Sequence, residues 1–286
     1  MVENIYENNI MIGSIKQWVK SLLCALGLYG AARRLWNGRP DFRLMCWNAG
    51  YRVAGAPDGL PIPPTRLIYL VTLSREVSWF LRSGYIGHRS ILHILQRNGV
   101  DVESFDSILD FGCGCGRIIR YWKVLRGPRL YGTDYNPDLI AWCRANLGDF
   151  AEFKTNELAP GLEYEEGKFG FVYAISVFTH LSEALQIAWM KELARVLKRG
   201  GFLLITTHGE SRLYELEAQE RQRFQRGELV IKQESAAGTN FCGAYHPEQY
   251  VREHLAKGFE VVDFVPRGAR DTDQDVFLLR KPSDNF

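Results

Sequence analysis

The 286 residues carry a formal net charge of +2, with 46% hydrophobic and 24% charged side chains. That balance provides for a sizeable core and excludes both a disordered chain and the strongly basic field of a nucleic-acid binder. The six cysteines, at 24, 46, 113, 115, 143 and 242, include no CxxC pair and no matching histidine spacing. They exclude a zinc or disulfide framework and point to a reducing, cytoplasmic setting.

The first patterned stretch is "IGSIKQWVKSLLCALGLYGAARRLW", in which Ile15, Val19, Leu22, Leu23 and Leu26 share one helical face. Lys16, Lys20, Arg33 and Arg34 interrupt it, so its apolar core is too short to cross a bilayer. Glu3 and Glu7 stand where a signal peptide requires positive charge. The stretch fits a helix capping the main domain, or an interfacial helix that contacts a membrane surface or a partner. "GAPDGLPIPPTR", rich in glycine and proline, is the best boundary candidate. Two helical patterns follow, "RLIYLVTLSREVSWFLRSG" and "HRSILHILQRNG", each ending on a glycine as a C-terminal cap would. We expect residues 1–60 to form an extension, 61–106 a helical lid or cap, and 107–286 the main domain.

From Ser107 the pattern alternates. "SILDF", "RLYGTD", "AEFKT", "FGFVYAISVF" and "GFLLITTH" read as strands. "RIIRYWKVL", "NPDLIAWCRANL" and "SEALQIAWMKELARVLK" between them read as helices, with Asn136-Pro137 as an N-cap followed by proline. Such alternation implies a parallel sheet covered on both faces. Residues 209–245 then interrupt it with a charged helix in "ESRLYELEAQERQRFQRGE" and a short hairpin between "LVIKQES" and "TNFCGAY". "HPEQYVREHLAKG" is a helix with Pro247 at its start. "FEVVDFVPRG" and "DVFLLRKP" are too close together for a helical crossover and should pair antiparallel.

The chemistry lies in "SILDFGCGCGR". Alternate glycines between a strand and a helix strip away Cβ atoms and let a ligand approach the main chain. The P-loop pattern is absent, and GxGxG differs from the GxGxxG of dinucleotide sites. Asp110, two residues ahead of Gly112, repels a pyrophosphate and suits a ligand with positive charge. Asp134 ends the next strand, where ribose hydroxyls are held in folds of this topology. A ligand with a ribose, a cationic portion and no pyrophosphate describes S-adenosylmethionine. Cys113 and Cys115 lack further ligands and are read as small residues filling a crowded loop, so no metal is expected.

"LDFGCGCGR", "YGTDYNPDLI", "YAISVFTHL" and "RVLKRGGFLLITTHG", in that order, resemble the motif series of the class I S-adenosylmethionine-dependent methyltransferases. The resemblance implies an α/β, Rossmann-like three-layer sandwich over residues 107–286. Its seven-stranded sheet would be mostly parallel with an antiparallel last strand, and the N-terminal helical extension would precede it. It implies that Asp110, Gly112, Cys113, Gly114 and Gly116 line the methionine portion, and that Asp134 binds the ribose with Tyr135 beside the adenine. Asn156 or Glu157 would lie near the adenine amino group, and Ser176, Val177 and Phe178 would contact the cofactor or face the substrate. The family usually has Asp where Gly170 stands and often Pro where Arg199 stands, and both sites are structural in character.

His180, just beyond the fourth strand, is the leading general base, and His246 is the second candidate ahead of His208. Phe241 and Tyr245 offer walls for a substrate, with a hairpin-core place as the alternative for Tyr245. Trp79, Phe80 and Tyr85 are candidates for a lid, against a plain core role. The expected activity is methylation of a hydroxyl on a small molecule or glycan, with no nucleic-acid partner. Methylation of a nitrogen, a nicotinamide-dependent oxidoreductase and a non-catalytic S-adenosylmethionine-binding scaffold are the alternatives.

Overall fold

The computed structural model describes residues 42–283, so the amphipathic stretch around Ile15–Leu26 lies outside the described residues. Helix α1 (Phe42–Ala54) comes first. From Tyr51 onward the chain forms one compact unit. Its helices α2 (Thr65–Thr72) and α3 (Val77–Arg97) precede the sheet.

Strands β1 (Ser107–Phe111), β2 (Arg129–Asp134), β3 (Ala151–Thr155), β4 (Phe169–Ala174) and β5 (Leu197–Thr207) alternate with helices α4 (Pro137–Leu147) and α5 (Glu183–Val196). The insertion follows as α6 (Ala218–Gln225) and the antiparallel pair β6 (Val230–Lys232) and β7 (Gly243–Tyr245). Strands β8 (Glu260–Ala269) and β9 (Gln274–Arg280) close the sheet in the order β3-β2-β1-β4-β5-β9-β8. Only β9 runs against its neighbours, pairing antiparallel with both β5 and β8. Asn136 caps α4 by accepting from Asp138 N–H, and Ser182 caps α5 by accepting from Leu185 N–H.

Burial on both faces explains the unbroken apolar runs of β1 and β4. Leu109, Val172, Leu203 and Phe277 meet Trp189 and Leu193 of α5 on one face. Ile108, Phe171, Leu204 and Leu278 meet Ile91, Ile94 and Leu95 of α3 on the other. Gly170 leaves room for the Phe105 ring and the Asp106 carboxylate, and Asp106 pairs with Lys198.

Several elements depart from the sequence reading. The break between the first two helices falls at Leu73–Glu76, and α3 continues through Gly84 and Gly87. Gly84 permits close packing rather than capping, since a Cβ there would lie 2.0 Å from the Arg117 carbonyl oxygen, and one at Gly87 would lie 2.9 Å from Asp271 Oδ2. Gly99, at φ +70°, does follow the end of α3 as a cap would. Behind the glycine loop stands a six-residue 3₁₀ helix, Ile119–Val124, where an α-helix was expected. Its tighter repeat turns Ile119 and Trp122 together into the sheet-facing core. Strand β4 ends at Ala174, because Ser176 takes a left-handed conformation. The charged helix of the insertion is split into 3₁₀ Glu210–Glu215 and α6, whose start is a capping box between Glu217 and Glu220.

The glycine- and proline-rich stretch around residues 55–66 is no free linker. Arg120, fully buried, donates from Nε and Nη2 to both carboxylate oxygens of Asp58 at 2.5 and 2.9 Å. Burial tends to raise the Asp58 pKa, but the Arg120 bonds and charge hold it below the usual carboxylate range. Losing one partner of such a pair costs about 3–5 kcal/mol, so the segment is fastened to the domain.

Gly84→Ala should destabilise the fold by roughly 1–3 kcal/mol or more, because its methyl meets main chain that has no room to yield. Gly50→Ala is the control: it lies in α1, a Cβ there meets no described atom within 4 Å, and no loss is expected. Thermal unfolding of the two variants side by side checks the difference.

Candidate functional site

The glycine loop is held by its neighbour strand. The N–H groups of Gly112 and Cys113 donate to the Thr133 carbonyl at 2.8 and 3.0 Å. Gly114 N–H donates to Asp134 Oδ2 and Asn136 N–H to Asp134 Oδ1, both at 2.9 Å. Gly112, Gly114 and Gly116 have φ of +78°, +57° and +78°. Close neighbours add to that requirement: a Cβ at Gly112 would lie 2.4 Å from Val177 Cγ2, and one at Gly114 would lie 2.7 Å from Val71 Cγ2. Helix α2 therefore covers the loop through Val71, a residue the sequence did not single out. With the 3₁₀ helix behind it and its N–H groups committed internally, the loop has little anion-binding character.

Asp110 is buried on the α3 side of the sheet, hydrogen-bonded to the Tyr173 hydroxyl, which in turn accepts from Trp122 Nε1 at 3.0 Å. Burial raises its pKa to about 7, against the pull of Tyr173 and of Arg117. Asp110 thus lies beneath the loop rather than along its surface. Arg117 itself reaches Asp271 in the β8–β9 turn at 2.6 Å. Burial likewise raises the Asp134 pKa, opposed by the two N–H groups it accepts.

Around the carboxyl edge, Tyr135 is 42% exposed. Asn156 accepts from Thr133 Oγ1 at 2.6 Å and donates to the Glu157 carbonyl, and the Glu157 side chain is exposed. Val177 rests on Gly112, whereas Phe178 is fully buried in the α5-side core. Cys113 is buried with its thiol toward the Gly114 carbonyl, and no metal-holding cluster exists among the described residues.

His180 ends a 3₁₀ turn, Phe178–His180, and its Nδ1 lies 2.8 Å from the Cys242 carbonyl oxygen. A carbonyl only accepts, so Nδ1 carries the proton and Nε2 keeps its lone pair. Burial lowers the His180 pKa. The insertion loop is also tied to this turn by Gly238 N–H on the His180 carbonyl, and to α2 by Asn240 Nδ2 on the Leu70 carbonyl.

His246 does not share the site surface. It is 1% exposed, and its Nε2 lies 2.9 Å from Gln186 Oε1; Gln186 Nε2 is committed to the Phe178 and Leu181 carbonyls. Tyr245 takes the hairpin-core place with Leu216, Phe224 and Val230, its hydroxyl donating to Glu215 at 2.7 Å. Phe241 is 67% exposed on the insertion loop. Trp79 is half-buried and Tyr85 rests edge-on against Tyr121, while Phe80 is core, in the buried cluster that joins Val77 and Leu81 of α3 to Cys115 of the loop.

The sheet order, the antiparallel β9 and the glycine loop with its acids together define the class I S-adenosylmethionine-dependent methyltransferase fold. Residues 109–205 match the model of the methyltransferase domain family. The fold is similar to that of an S-adenosylmethionine-dependent methyltransferase from Mesorhizobium loti, at 14% identity and a TM-score of 0.51 over 67% of this chain and 98% of that one. A protein from Pyrococcus horikoshii is 19% identical, with a TM-score of 0.50 over 68% and 91%. The Haloferax volcanii protein solved with the Trm112 methyltransferase activator is 15% identical, with a TM-score of 0.50 over 78% and 100%. These likenesses are of fold. No helix among the described residues is long and apolar enough to cross a membrane.

The loop and Asp134 fit the adenosyl sulfonium: each Asp134 oxygen accepts one N–H and retains a lone pair for a hydroxyl. Asp134→Ala should weaken S-adenosylmethionine binding by roughly tenfold or more in isothermal titration, since a charged acceptor and the loop's anchor are lost together. Asp110 offers a second check. An acid whose folded pKa is raised destabilises the fold as pH climbs from its unfolded value towards about 7. Asp110→Asn should therefore raise Tm above pH 7, while S-adenosylmethionine binds the variant less tightly because the buried negative charge is gone.

Proposed function

We propose that this protein transfers the methyl group of S-adenosylmethionine to a hydroxyl of a small molecule or glycan, with His180 as the general base. The observation that carries the reading is the Nδ1–H of His180 fixed on the Cys242 carbonyl, which leaves Nε2 free to accept a proton. Burial keeps that imidazole neutral at physiological pH, the state a base requires.

When bound, S-adenosylmethionine supplies a methyl group on a positively charged sulfur. Asp134 holds the ribose hydroxyls, Tyr135 lies beside the adenine, and Asn156 with Glu157 borders its edge. The glycine loop brings main chain to the methionine portion, and Val177 sets the depth of the notch at Gly112. His180 Nε2 would take the proton of an acceptor hydroxyl, and the methyl on the cofactor's positively charged sulfur is what that oxygen would receive. The chain's main contribution is alignment, with proton removal worth about 10²–10⁴ in rate. Phe241, exposed beside the His180 contacts, forms a wall for the acceptor. The small net charge supports a small acceptor rather than a polynucleotide. Buried free thiols at Cys113, Cys115, Cys143 and Cys242 suit the reducing cytoplasm.

His180→Ala should lower turnover by about 10²-fold or more while S-adenosylmethionine affinity changes little, measured as S-adenosylhomocysteine release against a panel of hydroxylated small molecules. With the His180 pKa lowered, the wild-type rate should hold through pH 6.5 and decline only as pH falls through the depressed pKa. Near-normal turnover in the variant would remove His180 from the role.

A further inference from the structure

Beside the His180 turn lies a polar cluster that the reaction scheme leaves unused, at the carboxyl edge of β4 and β5 and the start of β9. Ser176 stands at φ +59°, a left-handed conformation that a serine adopts only when its surroundings impose it. Its N–H donates to Thr206 Oγ1 at 2.7 Å, and the Thr206 hydroxyl donates to Gln274 Oε1 at 2.6 Å. With its oxygen so fixed, the Gln274 amide directs Nε2 at Ser176 Oγ, 2.8 Å away, and at His208 Nε2, 3.2 Å away. An amide nitrogen only donates, so His208 Nε2 accepts and the proton of that ring sits on Nδ1, the tautomer less favoured in water. Gln274 is 2% exposed and Thr206 fully buried.

Position makes the cluster more than a satisfied pocket. The strained residue is followed at once by Val177, which rests on Gly112, and one turn later by His180, whose N–H bonds the Val177 carbonyl at 3.0 Å. The His208 ring stands edge-on to His180, with centroids 6.4 Å apart. A buried apolar side chain of glutamine's size would fill the same space, but it would remove the donor to Ser176 Oγ and the acceptor that orients the Thr206 hydroxyl, leaving Ser176 Oγ with Thr179 Oγ1 at 3.3 Å.

We propose that Gln274 is a positioning residue for methyl transfer: by way of Thr206 and its own amide it holds Ser176 left-handed, and so fixes the turn that presents Val177 to the glycine loop and His180 to the acceptor. The inference rests on the reading of His180 as the base. Gln274 touches neither reactant in this scheme and acts through Ser176 and His208.

The test uses nitrogen-15 spectra of the histidine rings in the full chain, with S-adenosylhomocysteine bound, so that it stands apart from turnover. In the wild type His208 should show Nδ1–H, and His180 should titrate below 6.5. In Gln274→Met the His208 proton should move to Nε2, and the His180 midpoint should rise towards 6.5 as its turn loosens. Adding Ser176→Gly, which adopts the left-handed conformation without strain, should return the His180 midpoint towards the wild-type value while His208 stays altered. Unchanged His180 titration in Gln274→Met would overturn the proposal, as would a shift that Ser176→Gly does not reduce. Should Gln274→Met lose its fold, Thr206→Val breaks the same relay one step earlier and is read in the same way. Loss of turnover in His180→Ala bears only on the base; these spectra bear only on what positions it.

Discussion

Two backbone N–H groups converge on the Asp134 carboxylate, and the rest of the site is arranged around that convergence. One comes from Gly114 in the loop after β1, the other from Asn136 at the start of α4. A carboxylate buried at the end of β2 is costly unless its oxygens are bonded, and these donors meet that requirement. In return the carboxylate holds the loop open, with three glycines at positive φ, a conformation that would strain any other residue. Asp134 therefore braces the loop, and each of its oxygens keeps a lone pair that the proposed ribose contact would use.

The loop is fastened again from outside the sheet by largely buried charge pairs. Arg117 follows the glycines and bonds Asp271 in the β8–β9 turn, and Arg120 bonds Asp58 in the stretch leading to α2. Buried pairs of this kind add little net stability over apolar packing of the same size. Their effect is geometrical. Asp58 fixes the approach to α2, and α2 sets Val71 against Gly114, so a segment with the composition of a linker helps to cover the notch. Gly84 and Gly87 serve the same end on α3 by admitting the Arg117 main chain and the Asp271 side chain.

Much of the architecture was legible because it depends on local chemistry. The alternation of apolar runs gives the five parallel strands, Asn136-Pro137 and Ser182 give helix starts, and the short loop between "FEVVDFVPRG" and "DVFLLRKP" gives an antiparallel closure. The glycines and Asp134 were legible since spacing alone separates GxGxG from phosphate-binding loops. What eluded the sequence depends on distant partners. A glycine that ends a helix and one that admits another segment look alike until the other segment is placed, as at Gly84. Gln274, Thr206 and Gln186 carry no local signal, because an amide or hydroxyl in a strand or helix acquires its meaning from what it meets. The same holds for Tyr245, where an aromatic in a hairpin serves equally as wall or core and only the Glu215 carboxylate decides.

Three histidines gather near the carboxyl edge, and burial lowers the pKa of all three, to about 4 for His208 and about 3 for His246. Neutrality therefore does not choose among them; hydrogen bonding does. His208 spends its Nε2 lone pair on the Gln274 amide, and its Nδ1 is closed off from solvent. His246 gives its Nε2 proton to Gln186, and its remaining lone pair is buried with no partner among the described residues. His180 gives its proton to a carbonyl and keeps the Nε2 lone pair on a half-buried ring. Of three rings with one chemistry, the two fixed by glutamines have their lone pairs committed or buried. The third, fixed by main chain from the insertion, keeps an uncommitted Nε2 lone pair, so the hairpin added after β5 supplies the polarity that the proposed base would require.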